Sequence, residues 1–137
     1  AEHLARMRLA DIGLDTRIYN GHTTTADTLW AGVPVVAMMG THRASLVSAS
    51  MLASVGLPEL VTASLAEYEA LALALAREPE MLKALKAKLA ANLKTEPLFD
   101  TPRFARNLEN GFLQAWRLFQ AGEPPRRIEV ADVGRGF

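Results

Sequence analysis

Residues 12–38 read IGLDTRIYNGHTTTADTLWAGVPVVAM, and this stretch decides the fold. A short apolar run at 12–14 precedes a polar loop, and a helical segment then ends at Gly32 ahead of a β-branched run at 33–38. Glycine is typical of the residue after a helix, and Pro34 prevents the helix from continuing. A strand, a helix and a second strand within about 30 residues match the size of a βαβ crossover. The stretch therefore predicts two parallel strands joined by a helix.

The rest of the chain continues this alternation. A helical pattern covers residues 43–55, a short strand is predicted at 59–62, and Ser64 with Glu67 forms a capping box that begins the next helix. Two more helices follow, and the last has a stripe of large apolar side chains: Phe104, Leu108, Phe112, Trp116 and Phe119. Alternating strands and helices predict an α/β fold with a parallel sheet covered by helices. Ligands of such sheets bind beyond the carboxyl ends of the strands, where the polar loop lies.

The composition excludes several classes of protein. Lys plus Arg equals Asp plus Glu at 15 each, so the 137-residue chain has no net attraction to nucleic acid or to an anionic membrane. No apolar run reaches the roughly 18 residues that a membrane-spanning helix needs. The absence of cysteine excludes disulfides and is typical of a reducing compartment. We expect a soluble cytoplasmic protein with neither a membrane nor a nucleic-acid partner.

Three other chemistries find little support in the sequence. The histidines, His3, His22 and His42, lack the i, i+4 spacing of a helical metal pair, so no metal site is expected. No Gly-x-Ser-x-Gly elbow is present, and three serines of one predicted helix are interpreted as small packing positions: Ser45, Ser48 and Ser50. No aromatic residues interleave with four lysines, which are interpreted as a solvated helix face: Lys83, Lys86, Lys88 and Lys94.

The polar loop, Asn20-Gly21-His22-Thr23-Thr24, precedes a helix and has the character of an anion site. Free backbone N–H groups at a helix N-terminus suit a phosphate, and Gly21 allows a positive φ or the close approach of a ligand. One alternative is that Thr24 and Asp27, three residues apart, only cap the helix. His22 and Thr23 are not needed for capping. Each could make a charge-assisted contact with a phosphate, which contributes about 1.5–3 kcal/mol.

Two familiar phosphate-binding motifs do not fit this loop. A Walker loop requires Gly-Lys-Ser or Gly-Lys-Thr, which is absent, and a dinucleotide fingerprint requires three glycines where this loop has one. The loop therefore predicts an anion site of another class.

Several runs together resemble the C-terminal part of the catalytic region of O-linked N-acetylglucosamine transferases, a family that includes bacterial homologues with tetratricopeptide repeats upstream. They are Leu-Ala-Asp-Ile-Gly-Leu-Asp-Thr at 9–16, Asn-Gly-His-Thr-Thr at 20–24 and Leu-Trp-Ala-Gly-Val-Pro at 29–34, with Asp27 between them. The likeness extends over residues 1–122 and includes Pro-Leu-Phe-Asp-Thr at 97–101.

The resemblance implies a GT-B architecture, in which two Rossmann-like domains face each other across a cleft. This chain would form most of the C-terminal, donor-binding domain, with helices on both faces of its sheet. The implied roles are diphosphate binding by His22, Thr23 and Thr24, loop geometry from Asn20 and Gly21, ribose binding by Asp27, and proximity to the uracil for His3 and Arg6. UDP-N-acetylglucosamine (UDP-GlcNAc) would be the donor substrate, with no metal and no cofactor.

The resemblance also implies what this chain lacks. The catalytic residues, a diphosphate-binding lysine and the regions that bind the protein acceptor would lie upstream of residue 1, so no catalytic residue is assigned here. Because the chain starts at Ala1 within a helical pattern, we expect a piece of a longer protein. Residues 1–122 would be the donor domain, ending in an aromatic helix that returns toward the other domain, and residues 123–137 would be a mobile tail.

The expected function is therefore the donor-binding half of an enzyme that transfers N-acetylglucosamine to Ser or Thr of proteins. The isolated chain would be inactive. One alternative is a non-catalytic nucleotide-binding or interaction module that kept the fold. Another sugar-nucleotide enzyme of the GT-B class, such as an epimerase, is less favoured because it would not be expected to reproduce the Asn-Gly-His-Thr-Thr run.

Overall fold

A computed structural model describes residues 2–134, which divide into two compact units, residues 2–98 and residues 99–134. The first unit has a parallel sheet with helices around it. Its elements are α1 (Glu2–Met7), β1 (Gly13–Leu14), α2 (Thr23–Trp30), β2 (Val35–Met38), α3 (Val47–Ser54), β3 (Val61–Thr62), α4 (Leu65–Arg77) and α5 (Pro79–Asn92). Short 3₁₀ turns lie at Arg43–Ser45, Pro58–Leu60 and Pro97–Phe99.

The predicted strand-helix-strand unit is confirmed. The sheet has the order β1-β2-β3, and both pairings are parallel, with Gly13 opposite Val35 and Ala37 opposite Val61. The α2 helix joins β1 to β2. It ends at Trp30, and Gly32 follows with a φ of +85°, as predicted for a glycine after a helix. The α/β class is therefore confirmed, and the loop that follows β1 lies at the carboxyl edge of the sheet.

The core of the first unit explains why β2 is the central strand. Val35, Val36 and Ala37 are all buried, as is usual for a parallel strand covered on both faces. Leucines from the surrounding helices and turns complete the core with side chains that are fully or almost fully buried: Leu29, Leu52, Leu57, Leu60, Leu75 and Leu89. The Ser64 cap of α4 is also confirmed, because its side chain accepts a hydrogen bond from the Glu67 N–H at 3.2 Å.

The second unit contains α6, Thr101–Gln120, whose N-terminus is capped by the Asp100 side chain. No residue of α6 is buried, and four of its aromatic rings are more than half exposed: Phe104, Phe112, Trp116 and Phe119. The predicted aromatic stripe is thus a continuous exposed surface of this helix. Across the described residues, every helix is too short or too polar to span a membrane.

The segment after α6, residues 123–134, forms neither helix nor strand. Asp132 pairs with the Arg103 guanidinium and accepts a hydrogen bond from Asn107 at 3.0 Å. These hydrogen bonds, that of Arg103 first, hold the pKa of the Asp132 carboxyl well below its usual range. Residues 135–137 of the predicted tail lie outside the described residues, and the domain boundary at residue 122 stays a prediction.

Candidate functional site

The N-terminus of α2 presents backbone donors that the helix itself does not use. His22 occupies the N-cap position without a side-chain hydrogen bond, and the first helical bond runs from Ala26 N–H to the His22 carbonyl at 3.1 Å. The three preceding N–H groups, those of residues 23–25, have no acceptor within the helix. Thr23 and Thr24 are exposed beside them. We call residues 20–24 the helix-start loop.

The prediction that Thr24 caps α2 is wrong. The helix begins one residue before Thr24, so Thr24 lies within the first turn and its carbonyl accepts a hydrogen bond from the Thr28 hydroxyl at 2.7 Å. The helix begins early because Thr25 is buried against α3, which fixes the rotation of the first turn. Asp27 consequently has no capping role, and its carboxylate is left for other contacts.

Asn20 anchors the helix-start loop to its surroundings. It is only 1% exposed, and its backbone N–H donates to the Ala44 carbonyl at 2.9 Å. Its side-chain amide donates to the Thr16 carbonyl at 3.0 Å, and its side-chain oxygen accepts from the Ser48 N–H at 3.4 Å. Buried polar groups are costly unless they are paired, so these bonds define one position for the loop.

Ser48 of α3 connects the loop to the first turn of α2. Its hydroxyl donates to the Gly21 carbonyl at 3.1 Å and lies 3.0 Å from the Thr25 hydroxyl. Sequence reasoning missed this function and interpreted Ser48 as a packing position. The only signal in the sequence was a polar residue, Ser48, on a helix face that is buried in the structure.

Of the two reasons expected for Gly21, a positive φ is wrong, and the close approach of a ligand stays a prediction. Gly21 is not among the glycines with positive φ in the described residues. A Cβ added at Gly21 would lie 2.6 Å from the Thr25 hydroxyl oxygen, so a neighbouring side chain makes a close approach here. The small residue lets the loop pack directly on the first turn of α2.

Two further residues that the sequence analysis did not single out hold the other side of the loop. The Asp15 carboxylate accepts a hydrogen bond from the Gly21 N–H at 2.7 Å, and the Asp15 carbonyl accepts one from the Tyr68 hydroxyl at 3.0 Å. Burial raises the pKa of the Tyr68 hydroxyl, and the nearby charge of Asp15 raises it further. Within the described residues, Oδ2 of Asp15 and Nε2 of His22 are buried without a hydrogen-bond partner.

The His22 ring is oriented by Tyr19. The two rings are stacked, with centroids 4.9 Å apart and an interplanar angle of 14°. Stacking of this kind contributes about 0.5–1.5 kcal/mol and restricts the rotation of both side chains. Tyr19 is exposed, so it covers the ring from the solvent side.

Three predicted residues from α1 and α2 come together in the structure. His3 Nε2 lies 3.7 Å from Asp27 Oδ2, and the Arg6 guanidinium lies 3.4 Å from His3 Nδ1. The side chains of His3 and Asp27 are 54% and 37% exposed. We call His3, Arg6 and Asp27 the His3 cluster. It lies beside the helix-start loop because Asp27 is one helical turn from Thr23 and Thr24.

A cavity of about 210 Å³ opens between the end of β1 and α2. It is lined by Gly13, Leu14, Asp15, Thr16, Gly21, Thr24, Thr25, Thr28 and Val35. In residues 2–134, no three His, Asp or Glu side chains are arranged to hold a metal ion. The polar groups at this edge of the sheet are hydroxyls, ring nitrogens, backbone N–H groups and the carboxylates of Asp15 and Asp27.

This geometry agrees with the comparison to known protein families. Residues 1–108 match the family described as Glycosyl transferase family 41. The chain belongs to this family. The resemblance to O-linked N-acetylglucosamine transferases is thereby confirmed. Relatives of this family 41 chain are named as N-acetylglucosaminyltransferases.

Two relatives illustrate the similarity. The chain is 41% identical over 133 residues to the probable UDP-N-acetylglucosamine-peptide N-acetylglucosaminyltransferase SEC of Arabidopsis thaliana. The alignment covers 96% of this chain and 14% of that protein. It is 37% identical over 123 residues to the UDP-N-acetylglucosamine-peptide N-acetylglucosaminyltransferase of Caenorhabditis elegans, covering 90% of this chain and 11% of that one. The family 41 chain thus spans about one-seventh or less of the length of these relatives.

A solved structure supports the same fold. The family 41 chain superimposes on a mutant of the O-GlcNAc transferase of Thermobaculum terrenum with a TM-score of 0.79 and 36% sequence identity. The match covers 85% of this chain and 22% of that one. The fold is therefore that of part of a GT-B glycosyltransferase. The binding roles of the individual residues stay predictions.

Proposed function

We propose that this family 41 chain binds the UDP part of a UDP-GlcNAc donor, as the donor-binding half of an enzyme that transfers N-acetylglucosamine to Ser or Thr of proteins. In this proposal the helix-start loop holds the diphosphate through His22, Thr23 and Thr24. The His3 cluster holds the nucleoside, with Asp27 on the ribose and the His3 ring and the Arg6 guanidinium near the uracil.

The observation that carries the proposal is the contact between His3 and Asp27. These residues are far apart in the sequence, and the resemblance gives them adjacent parts of one ligand, the uracil and the ribose. Their side chains approach to 3.7 Å. Asp27 lies four residues beyond Thr23, which is about 6 Å along the helix axis at 1.5 Å per residue. The proposed ribose contact therefore lies one turn beyond the proposed phosphate contacts on α2, and the proposed uracil contacts come from α1.

The chemistry of the helix-start loop suits a diphosphate. Unused N–H groups and the positive end of the α2 dipole attract negative charge, and two exposed threonine hydroxyls can donate to phosphate oxygens. The buried Nε2 of His22 lacks a protein partner, which costs about 1–3 kcal/mol unless a hydrogen bond to a ligand or to water satisfies it. In the full enzyme these donors would stabilise the charge that develops on the leaving UDP.

The proposal includes three further statements, on metal ions, on catalytic residues, and on the location and acceptor of the enzyme. The chain needs no metal, because N–H and side-chain donors take the place of a cation at the diphosphate. It supplies no catalytic residue, so the 137 residues alone bind the donor and transfer nothing. It acts in the cytoplasm, and the protein acceptor is bound by regions outside this chain.

The direct test is a titration of the chain with UDP and, separately, with uridine. His22→Ala should weaken UDP binding about tenfold, because it removes a phosphate contact, and should leave uridine binding unchanged. Asp27→Asn should weaken both ligands, because both contain the ribose. The same titration with EDTA and with Mg²⁺ should give equal UDP affinities.

Matched controls come from an aspartate elsewhere in the chain. Asp11→Asn and Asp11→Ala change an exposed aspartate that pairs with Lys86. Neither should alter UDP affinity. If His22→Ala and Asp27→Asn kept the wild-type UDP affinity while their circular dichroism spectra were unchanged, the proposed function would be wrong.

A second experiment separates the enzyme from a non-catalytic nucleotide-binding module. The full-length parent protein is incubated with UDP-GlcNAc and acceptor peptides that contain Ser and Thr, and the transfer of sugar is followed by mass spectrometry. Transfer that is lost in the parent carrying Asp27→Asn would support the enzyme. UDP binding without any transfer by the parent would favour the binding module.

A further inference from the structure

We propose that Asp15 is a positioning residue for the diphosphate site, because its carboxylate fixes the Gly21 N–H and thereby the backbone that presents His22, Thr23 and Thr24. This inference rests on the proposed function. Asp15 itself would not contact the ligand. It would act through the peptide group of Gly21.

Asp15 is well placed for such a role because its own main chain is held on two sides. Its N–H donates to the Val36 carbonyl at 3.0 Å, which extends the pairing of β1 with β2 by one residue. Its carbonyl accepts the hydrogen bond from the Tyr68 hydroxyl at 3.0 Å. A side chain that projects from backbone fixed in this way has little freedom, so its carboxylate can serve as a rigid reference point.

The Asp15 carboxylate closes the loop that leads into α2. Its Oδ1 lies 2.7 Å from the Gly21 nitrogen, six residues along the chain, which is shorter than the side-chain hydrogen bonds that Asn20 and Ser48 make in the same loop. On the opposite side Ser48 holds the Gly21 carbonyl. The N–H and the carbonyl of Gly21 are therefore both fixed, the N–H by Asp15, which follows β1, and the carbonyl by Ser48 of α3.

The charge of Asp15 separates a positioning role from direct binding. A carboxylate near a diphosphate repels it, so the negative charge cannot be what attracts the ligand. What the site needs from this residue is an acceptor of the right length at the Gly21 N–H. Asparagine offers an amide oxygen at the same distance from the backbone, whereas alanine offers no acceptor.

The test compares Asp15→Ala, Asp15→Asn and wild-type chain in three measurements. We expect Asp15→Ala to weaken UDP binding about tenfold and uridine binding by less than about twofold, as the loss of one hydrogen bond implies. Asp15→Asn should retain the wild-type affinity or exceed it. Hydrogen exchange of the Gly21 amide should be faster in Asp15→Ala and close to wild type in Asp15→Asn.

Tyr68→Phe provides a second variant that leaves the carboxylate in place. It removes only the hydroxyl that holds the Asp15 carbonyl, so it should weaken UDP binding by a smaller factor than Asp15→Ala and in the same ligand-selective way. Asp11→Ala is the matched control, since it removes an exposed aspartate four residues upstream that makes no contact with the loop.

The outcomes distinguish the inference from the proposed function. Wild-type chain that does not bind UDP would overturn the proposed function and this inference with it. If wild-type chain binds UDP and Asp15→Ala binds it equally well, the positioning role alone is wrong. If Asp15→Ala loses affinity for UDP and for uridine equally, Asp15 has a structural role only. If Asp15→Asn loses as much UDP affinity as Asp15→Ala, the charge of Asp15 is needed. Either result would overturn the inference.

Discussion

The helix-start loop and the His3 cluster lie side by side, and the protein holds them in different ways. The loop is fixed by buried polar groups, of which Asn20 and Ser48 are almost completely inaccessible to solvent. The His3 cluster is exposed, and its two contacts are long, at 3.4 and 3.7 Å. The groups proposed for the diphosphate are therefore set in place before a ligand arrives, and those proposed for the nucleoside are not.

This difference has an energetic reason. A phosphate is recognised by several short hydrogen bonds whose directions matter, so a preformed set of donors avoids an ordering cost on binding. A base and a ribose are recognised largely by a flat surface and one carboxylate, which tolerate adjustment. It follows that mutations in the loop should affect both stability and diphosphate binding, whereas mutations in the His3 cluster should affect binding alone.

The largest effect is expected from Asn20→Ala. The change leaves the buried Ser48 N–H without its side-chain partner, which costs about 1–3 kcal/mol, and it also removes the hydrogen bond to the Thr16 carbonyl, which contributes about 1 kcal/mol. We expect a loss of about 3 kcal/mol in the free energy of unfolding, measured by urea denaturation, and a loss of UDP affinity of more than about tenfold.

The control for this prediction is Asn110→Ala, the same substitution within α6, at a position with no described side-chain hydrogen bond. It should change the free energy of unfolding by less than about 0.5 kcal/mol. Equal stabilities for the two variants would mean that the buried bonds of Asn20 do not hold the loop, and the contrast between the two regions would disappear.

The next largest effect is expected from Gly21→Ala. The new Cβ would meet the Thr25 hydroxyl at 2.6 Å, and that hydroxyl cannot move freely because Ser48 lies 3.0 Å from it. Crowding of this kind costs about 1–3 kcal/mol, so we expect a loss of about 2 kcal/mol in the free energy of unfolding and weaker UDP binding.

A double-mutant cycle with Thr25→Ala isolates that contact. Removing the hydroxyl creates room for the new Cβ, so the double variant should be more stable than the sum of the two single losses predicts. Strict additivity would contradict the contact as the reason for glycine at this position.

The order of the elements could be predicted from the sequence, while the details of the helix-start loop could not. The glycine after α2 and the Ser64 cap are local features, and both were confirmed. The third predicted strand, 59–62, is shorter than expected, because Pro58–Leu60 forms a 3₁₀ turn and only Val61–Thr62 pairs with β2. The first residue of α2 was misplaced because burial of Thr25 against α3 outweighs the local capping pattern. The hydrogen bond between Asn20 and Ser48 joins residues 28 positions apart. No local pattern encodes such a pairing.

A smaller effect, on binding alone, is expected from His3→Ala. The side chain is more than half exposed, so the free energy of unfolding should change by less than about 0.5 kcal/mol. Loss of an aromatic contact with the uracil is worth about 1 kcal/mol, which corresponds to about a fivefold loss of affinity. Isothermal titration should show this loss equally for UDP and for uridine. A loss confined to UDP would move His3 from the nucleoside to the diphosphate and break the division between the two regions.

The smallest effect is expected from Arg6→Ala, and it has a close control in Arg8→Ala, two residues along. Within the described residues, the side-chain hydrogen bond of Arg6 runs to the His3 ring at 3.4 Å, and an exposed polar contact contributes about 0.2–1 kcal/mol, so its removal should weaken UDP binding about twofold. Arg8 is exposed and follows α1, so its removal takes away the same charge without touching His3. If both variants weakened binding equally, and if the loss vanished at high salt, the effect would be general attraction of the anion rather than orientation of His3. A loss of UDP affinity that is specific to Arg6→Ala and persists at high salt would mean that the His3 cluster also has a preferred arrangement. The His3 cluster would then differ from the helix-start loop in how strongly it is held, and both would be ordered before binding.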